Sequence, residues 1–509
     1  MISNEKQVRV GAILSYASIA LSILAGLVYI PWMIEQIGQA QYGLYTLSNT
    51  LITLFVVDFG LGKATERYVA KYRAQGHPEK IGAFLGAIYK LYLIIDMVIF
   101  AVLVILFFLL DQIYVKLTPT ELAQFKVVYI ISGLFTVVKF PFIPLDGILN
   151  AHEKYIPMKI ADLLYRVLQV GLTVLALLLD QGLYALVTVN ALVGLVLIAY
   201  KWIVFKSTVG VRASLRHTDR ALYRKILSFS VWILIDALAA RLVFQITPSI
   251  LGIVASAAAI GVFGVITTIE GYVYTVATAI NGLFLPRVAR INVGENAEEN
   301  LSALVLGVGR FQYALNGLVV AGFAVVGRLF IRLWMGEAFA QAYFGILLVI
   351  VPGLFYNALQ IANTALVVKK RVKERAFIAL ATGVANVILS FIFSYRWGVI
   401  GACLSIFVAY MLREVLSLIV YRKHLHLNII RFAKCCYLRM TPPILLTVAA
   451  GLLINRLIPD GGWLSLVVKG MITVAVYGVT LWLFALSRAE RKRSIEIVRS
   501  KIKKHKTLS

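Results

Sequence analysis

The chain is poor in the residues that build disulfide frameworks and metal centres. It has 3 cysteines, Cys403, Cys435 and Cys436, and 6 histidines among 509 residues. The cysteine spacing fits neither a disulfide framework nor a zinc site. His424 and His426 stand in a basic segment, and we interpret them as part of a solvated loop. The sequence therefore predicts no metal ion and no cofactor.

Motifs of nucleotide hydrolysis and of hydrolytic catalysis are also missing. The sequence contains no G-x-x-x-x-G-K-[ST] phosphate loop, no H-E-x-x-H and no G-x-S-x-G. The longest predicted outer loop, Asp111–Gln124, is too short for the catalytic loop of a membrane-embedded glycan polymerase or ligase. The sequence therefore predicts that the chain is not an enzyme and does not hydrolyse ATP through a Walker site.

Acidic residues are scarce, and basic residues are in large excess. Asp and Glu number 24 against 50 Lys and Arg, which gives a formal net charge of +26. In a soluble protein this charge would favour a nucleic-acid partner. Here 61% of the residues are hydrophobic and the mean hydropathy is +0.87, so lipid must be part of the solvent. The basic residues then act as topology signals and as contacts for anionic lipid, and no nucleic-acid partner is expected.

Long apolar runs are the dominant feature of the sequence. About fourteen of them reach the roughly 20 predominantly apolar residues that cross a bilayer. The predicted spans are Gly11–Ile34, Gly43–Leu61, Phe84–Leu110, Phe125–Leu149, Met158–Leu179, Tyr184–Phe205, Leu227–Leu251, Ala259–Phe284, Ser302–Leu333, Gln341–Val368, Phe377–Tyr395, Gly398–Tyr421, Met440–Leu457 and Ser465–Leu486. We therefore predict an all-α polytopic membrane protein.

The charges of the loops predict an orientation. With a cytoplasmic N-terminus, the inner segments hold about 36 basic residues and the outer ones about 3, namely Lys116, Arg396 and Arg456. Met1–Val10 is short and polar, and no cleavage site follows, so the first span is predicted to be retained. Both termini are predicted in the cytoplasm, with residues 488–509 as a basic cytoplasmic tail that anchors the topology.

The two halves of the chain resemble each other at an offset of about 216–221 residues. Tyr42–Tyr45 matches Phe263–Ile266, and Pro31 in the first span has a counterpart in Pro248 in the seventh. We predict a parallel repeat of two six-helix lobes, residues 1–210 and 211–425, followed by two extra helices in residues 426–487. The substrate site is then expected where the lobes meet. Pro31 and Pro248 are candidate hinges, or they only mark helix ends.

Ionisable side chains inside the predicted spans are costly in lipid and usually face a cavity or an opposite charge. Four basic residues are candidate ligands of an anionic substrate, and four carboxylates are candidates for ion coupling or for lining the cavity. The basic residues are Lys139, Arg166, Arg241 and Arg310, and the carboxylates are Asp58, Asp96, Asp236 and Glu270. The alternative is internal ion pairs that only fix packing, which we favour for Asp162 with Arg166 and for Arg413 with Glu414.

Two motifs resemble those of a known family. Asp58-Phe59-Gly60-Leu61-Gly62-Lys63-Ala64, followed by Arg67, resembles the D-x-G-[LF]-G-x-A-x-x-R signature of bacterial polysaccharide or O-antigen repeat-unit flippases. Leu333–Phe339, followed by Ala342 and Tyr343, resembles their L-x-G-x-x-[FY] outer loop. These flippases belong to the multidrug/oligosaccharidyl-lipid/polysaccharide export (MOP) superfamily. Asp58, Gly60, Gly62 and Arg67 are the positions that carry the first signature.

The resemblance implies a function in making lipopolysaccharide, capsule or exopolysaccharide. Such flippases move an undecaprenyl-diphosphate-linked oligosaccharide from the cytoplasmic to the outer leaflet of the bacterial inner membrane by alternating access. The implied partners are this lipid-linked oligosaccharide and anionic membrane lipid, and polysaccharide polymerase and chain-length proteins are further candidates. Two alternatives stay open: a flippase for the peptidoglycan precursor lipid II, and a multidrug or cation antiporter of the same superfamily.

Overall fold

The computed structural model of the protein describes residues 4–55, 60–209, 214, 220–278, 284–291, 295–369, 371–486 and 491. Within these ranges all regular secondary structure is helical. Asp58 of the signature and the predicted basic tail, apart from residue 491, lie outside the described residues. The helical content agrees with the fold class predicted from the apolar runs.

The described part of the chain up to residue 209 forms eight α-helices. They are α1 (Asn4–Ile37), α2 (Gln39–Phe55), α3 (Leu61–Ala74), α4 (Pro78–Ile113), α5 (Pro119–Lys139), α6 (Pro144–Ala151), α7 (Tyr155–Leu178) and α8 (Gly182–Val209). A 3-10 turn, Phe140–Phe142, joins α5 to α6. The fourth predicted span is therefore a broken helix, since Pro144 and Pro141 remove backbone donors at this point.

The described part after residue 219 forms eleven α-helices. They are α9 (Arg220–Phe244), α10 (Thr247–Val254), α11 (Ala257–Thr278), α12 (Leu285–Ile291), α13 (Ala297–Met335), α14 (Ala342–Ala358), α15 (Gln360–Val368), α16 (Val372–Leu425), α17 (Ile429–Phe432), α18 (Arg439–Leu457) and α19 (Trp463–Thr480). Two π-helical segments, Ala433–Leu438 and Leu481–Ala485, precede α18 and follow α19.

Over its described residues, each predicted span falls on one of these helices, on a consecutive pair, or on a helix with its adjoining 3-10 or π-helical segment. Among the described residues, ten helices are long and apolar enough to cross a membrane, or eleven when α14 and α15, bent by 51°, are counted as one span. This count is lower than the predicted one for three reasons. α16 holds two predicted spans and α2 has only 17 residues. In α1 the apolar helix Ser22–Ile37 is too short to be counted. The prediction of an all-α polytopic membrane protein is confirmed.

The two predicted spans in α16 meet at Gly398. Its φ of 53° and ψ of −127° are non-helical and lie in a region that residues with a Cβ atom rarely adopt. Spans eleven and twelve therefore turn at a glycine that follows Arg396 and Trp397, with no intervening loop.

The order of helices repeats along the chain. Three helices of the first half have counterparts in the second half at a nearly constant offset: α2 corresponds to α11, α4 to α13 and α7 to α16. The breaks correspond as well, because α5 ends at Lys139 before the broken part of span four, and α14 ends at Ala358 before the bend in span ten. These correspondences agree with the repeat found in the sequence. The boundaries of the two predicted lobes stay a prediction.

The chain divides into two compact units. Unit 1 comprises Met1–Thr268 and Val372–Ala409, and unit 2 comprises Ile269–Arg371 and Tyr410–Ser509. In unit 1, α2 packs closely on α11. A Cβ atom on Gly43 would collide with the Ala257 carbonyl, and one on Gly261 would lie 2.5 Å from the Gln39 carbonyl oxygen. Small residues allow such close approach in lipid, where van der Waals packing holds helices together.

In unit 2, helices α13, α18 and α19 pack against one another, and a buried lysine of α19 pairs with a half-exposed aspartate of the loop before it. The side chain of Lys469 on α19 is 1% exposed, and its Nζ lies 2.6 Å from Asp460 Oδ1. Asp460 Oδ2 lies 3.8 Å from Arg332 Nη1, and Arg332 Nε pairs with Glu337 Oε1 at 2.5 Å. The network links the last helix to the end of α13, where the second family-like motif begins.

Candidate functional site

The glycines of the signature shape the junction of α3 and α6. Gly60 precedes α3 with φ 68° and ψ 7°, a left-handed conformation that favours glycine. A Cβ atom on Gly147 of α6 would lie 2.5 Å from the Gly62 carbonyl oxygen. Arg67 is exposed on α3, with its guanidinium carbon 6.0 Å from the centre of the Tyr68 ring. The motif thus fixes α6 against α3 right beside Asp146.

Helices α5, α6, α7 and α8 of unit 1 surround a cavity of about 260 Å³. Its polar lining combines two cations, one carboxylate and a tyrosine, and aromatic rings line another part of it. The polar residues are Lys139, Asp146, Tyr165 and Lys201, and the aromatic ones are Phe135 and Phe142. Of the four basic residues predicted to bind substrate, Lys139 lines this cavity.

One ion pair organises the polar wall of the cavity. Lys201 Nζ lies 2.7 Å from Asp146 Oδ1, and the Lys201 side chain is 16% exposed whereas that of Asp146 is 48% exposed. Lys139 lies 5.8 Å from the centre of the Phe135 ring and is close enough to Lys201 and Asp146 to interact electrostatically with both. Tyr165 donates a hydrogen bond of 2.8 Å to Asn190 Oδ1. With both lysines and the carboxylate ionised, the cavity carries one net positive charge.

The other predicted cations lie elsewhere. Arg166 is exposed on α7, and the pairing with Asp162 that the spacing allows is wrong, because Asp162 Oδ2 pairs with Lys159 Nζ at 3.2 Å. Arg310 Nη2 donates a 3.0 Å hydrogen bond to the Ala485 carbonyl in unit 2 and so holds the π-helical end of the last span. Arg241 is half-buried near the end of α9 in unit 1.

The predicted carboxylates differ in their surroundings. The Asp236 carboxylate accepts two hydrogen bonds from the Arg375 guanidinium, from Nε to Oδ1 at 3.2 Å and from Nη2 to Oδ2 at 2.5 Å. Asp96 is buried on α4, and its Oδ1 accepts no hydrogen bond from any described residue. Glu270 is half-buried on α11 in unit 2, near Tyr410. The bidentate pair makes Asp236 a partner of Arg375, and a role in ion coupling stays a prediction for all three.

The two candidate hinge prolines sit in different helical contexts. α1 continues through Pro31 to Ile37. The seventh span breaks before Pro248, since α9 ends at Phe244 and α10 begins at Thr247. Their role in motion stays a prediction.

Asn386 closes the break in the seventh span, and no pattern in the sequence indicates this role. The Ile246 N–H donates to the Arg241 carbonyl, five residues back, and not to the Leu242 carbonyl, four residues back. The Leu242 carbonyl therefore needs another donor. Asn386 Nδ2 donates to Leu242 O at 3.0 Å and to Val243 O at 3.2 Å. The Ser405 hydroxyl lies 3.2 Å from Asn386 Oδ1 and 2.7 Å from the Ala402 carbonyl oxygen, and it can donate its one hydrogen to either. Backbone groups inside a membrane must be satisfied within the protein, so this side chain stabilises the break.

Asn386→Leu is expected to lower the stability of the purified protein by about 1–3 kcal/mol, the cost of a buried polar group left unsatisfied. Leucine has a similar volume but donates no hydrogen bond to the two carbonyls. Thermal unfolding in detergent measures the effect. Ser405→Ala is the matched control, because it removes one bond and leaves both carbonyls satisfied. Equal unfolding temperatures for the two variants would refute the role of Asn386.

A further cluster of polar and aromatic side chains lies on α16 in unit 2. The Arg413 guanidinium lies 4.6 Å from the centre of the Tyr356 ring, and Nη2 donates to the Tyr356 hydroxyl at 3.3 Å. Glu414 is buried and its Oε1 accepts a 2.7 Å hydrogen bond from the Tyr437 hydroxyl. Adjacent helical residues point in different directions, and Arg413 and Glu414 here contact different tyrosines. Their mutual pairing stays a prediction. The i,i+3 spacing of Tyr410 and Arg413 was the sequence signal for this stack.

Comparison with known proteins gives a family and a fold. The model of the family described as "Polysaccharide biosynthesis protein" matches residues 8–292 of the chain. None of the curated proteins matches the chain.

Several solved membrane transporters have a similar structure. The lipid II flippase MurJ in an inward closed conformation matches with a TM-score of 0.71 and 13% identity, over 93% of this chain and 98% of that chain. An inward-facing multidrug resistance MATE family transporter of the MOP superfamily matches with a TM-score of 0.64 and 13% identity, over 82% and 98%. A mutant of the Vibrio cholerae MATE transporter VcmN matches with a TM-score of 0.56 and 14% identity, over 83% and 98%. These similarities establish a shared fold.

Proposed function

We propose that this chain, which belongs to the polysaccharide biosynthesis protein family, flips lipid-linked oligosaccharides from one leaflet of a membrane to the other. It is a multi-pass membrane protein with the fold of MOP superfamily transporters and flippases. The family and the similar structures are those of transporters and flippases rather than enzymes. The family alone does not identify the transported substrate.

The observation that carries the proposal is the cationic cavity of unit 1. Its lining residues all belong to the first predicted lobe, so it differs from the site between the lobes that the repeat predicts. Lys139 and Lys201 lie in predicted spans four and six, where ionisable groups mark substrate pathways. Ammonium groups form strong charge-assisted hydrogen bonds with phosphate oxygens. In the predicted topology, Asp146 and Lys201 stand near the cytoplasmic ends of their spans. A diphosphate head group entering from the cytoplasmic leaflet would meet these residues first.

We therefore propose an undecaprenyl-diphosphate-linked oligosaccharide as substrate, following the family resemblance. Transport runs from the cytoplasmic to the outer leaflet of the bacterial inner membrane by alternating access, with both termini in the cytoplasm. The sequence holds no Walker motif, so an ion gradient or the membrane potential is the proposed driver. Arg166, Arg241 and Arg310 stay predicted ligands, and polysaccharide polymerase and chain-length proteins stay predicted partners.

Lipid II is the second candidate substrate. The observation that favours it is the similarity to the lipid II flippase MurJ, which covers 93% of this chain. Both substrates carry a prenyl diphosphate, so the cavity of unit 1 suits either. A multidrug or cation antiporter fits less well, because a net positive cavity repels cationic drugs.

Deletion of the gene followed by analysis of lipid-linked glycans tests the function. Under the proposal, an oligosaccharide repeat unit on undecaprenyl diphosphate accumulates in the cytoplasmic leaflet and surface polysaccharide is lost. Purified protein in vesicles should flip the same lipid without ATP. Accumulation of lipid II instead would replace the proposed substrate by the second candidate. Unchanged lipid-linked glycans and unchanged surface polysaccharide would overturn the proposal.

A further inference from the structure

We propose that Asp146 is the resident counter-ion of a diphosphate site in the cavity of unit 1, and that a bound diphosphate takes its place at Lys201. The inference rests on the proposed function and deepens it, since it assigns the phosphate groups to Lys139 and Lys201. It also gives Asp146, a carboxylate inside a site for anions, a role in releasing the substrate.

Lys201 has spare donors in this arrangement. Its ammonium carries three N–H groups, and among the described residues it gives one hydrogen bond, to Asp146 Oδ1 at 2.7 Å. The Lys201 side chain is largely buried, so water satisfies these donors poorly. Phosphate oxygens placed in the cavity can accept from them. Lys139 lines the same cavity and would complete a two-lysine cradle.

The surroundings of Asp146 lower the cost of breaking its ion pair with Lys201. It stands in the first turn of α6, where a negative charge interacts favourably with the helix dipole. Its side chain is about half exposed, so part of its charge is already solvated. Gly147 beside it packs against Gly62, which fixes the backbone at this point. Loss of the ion pair is therefore less costly for Asp146 than for Lys201.

The charges explain why a transporter would keep this carboxylate. Two lysines alone would give the cavity a formal charge of +2, matched to a doubly charged diphosphate. Asp146 lowers the charge to +1 and competes with the ligand for Lys201. A translocation site must bind its substrate well enough to capture it and weakly enough to release it. Asp146 is thus a positioning and release residue, which returns to Lys201 when the diphosphate leaves.

The alternative is a purely structural ion pair that ties α6 to α8. The two interpretations differ in the sign of one effect. If the pair is only structural, removing the carboxylate weakens or leaves unchanged the binding of anions. If Asp146 is a counter-ion, its removal strengthens that binding, because Lys201 loses its competitor and the cavity gains one positive charge.

The experiment measures binding of undecaprenyl diphosphate and of inorganic pyrophosphate to the full-length protein in lipid nanodiscs. Asp146→Asn is expected to bind undecaprenyl diphosphate at least tenfold more tightly than the unaltered protein, and to flip lipid-linked oligosaccharide more slowly because release is delayed. Lys201→Ala is expected to bind at least tenfold more weakly. Asp162→Asn is the matched control, since it removes the exposed pair with Lys159 on α7 and should change neither value.

The two probes separate the sources of the phosphate. Tighter binding of both probes by Asp146→Asn supports a site for diphosphate as such, and tighter binding of the lipid alone supports a site for a lipid head group. Unchanged or weaker binding of both by a folded variant overturns the proposal. Asp146→Ser is the second variant if the asparagine variant does not fold. If Asp146→Asn binds more tightly but the unaltered protein flips no lipid-linked oligosaccharide, the site stands and the proposed function is rejected.

Discussion

Replacement of both Lys139 and Lys201 by alanine is expected to slow translocation of lipid-linked oligosaccharide by about 100-fold or more. Hydrogen bonds to charged groups contribute about 1.5–3 kcal/mol each, and every 1.4 kcal/mol corresponds to about a factor of ten. Both ammonium groups line the same cavity of unit 1, where a single diphosphate can contact both. The measurement is the initial rate of flipping in vesicles at equal protein density.

Conservative and distant substitutions control this result. Lys139→Arg and Lys201→Arg keep the charge and should retain part of the rate, because a guanidinium also binds phosphate but with a different geometry. Lys126→Ala removes a lysine that pairs with Asp111 outside the cavity, and it should leave the rate unchanged. A double alanine variant that flips the lipid normally would show that the cavity of unit 1 does not hold the phosphate groups.

Asp460→Ala is expected to destabilise the protein by about 3–5 kcal/mol, the cost of leaving a buried charge without its partner. Lys469 is 1% exposed and its Nζ lies 2.6 Å from Asp460 Oδ1. Without that carboxylate the ammonium loses the counter-charge that offsets its burial. Thermal unfolding in detergent measures the loss, and addition of Lys469→Met should restore most of the stability by removing the buried charge.

An exposed ion pair provides the comparison. Asp111 Oδ2 lies 2.6 Å from Lys126 Nζ, the same distance, and the two aspartates are similarly exposed, at 55% and 48%. The lysines differ, because Lys126 is 30% exposed and Lys469 only 1%. Asp111→Ala should therefore cost no more than about 1 kcal/mol. If Asp460→Ala and Asp111→Ala lower the unfolding temperature equally, the buried pair of Lys469 does not stabilise this end of the protein.

The sequence predicted those features that depend on local composition. In the part of the chain that the structure describes, the apolar runs are helical because a chain in lipid must satisfy its backbone hydrogen bonds within each span. The glycines of the signature could be recognised from the sequence as well, because the positive φ of Gly60 is a local property of its own segment. Lys139 could be singled out because a charge within an apolar run stands out without any knowledge of its neighbours.

Partners of these residues could not be predicted from spacing. Lys201 lies 55 residues from Asp146, and Arg375 lies 139 residues from Asp236, so both pairs exist only because helices distant in sequence pack together. Of the pairs that spacing favoured, Asp162 with Arg166 did not form. Lys159 lies on the same face as Asp162, and the Arg413 and Glu414 side chains point toward different tyrosines.

The sequence by itself thus determined the helices, the membrane class, the repeat and the family to which the chain is similar. Only the tertiary structure decided which intramembrane charges share a cavity, which carboxylate opposes Lys201, and that Asn386 satisfies the broken end of α9. The physical reason is the range over which each kind of interaction acts. Apolar transfer and helix hydrogen bonds act on neighbours along the chain, whereas ion pairs and side-chain hydrogen bonds act over a few ångströms in space, and the packing of distant helices sets those distances.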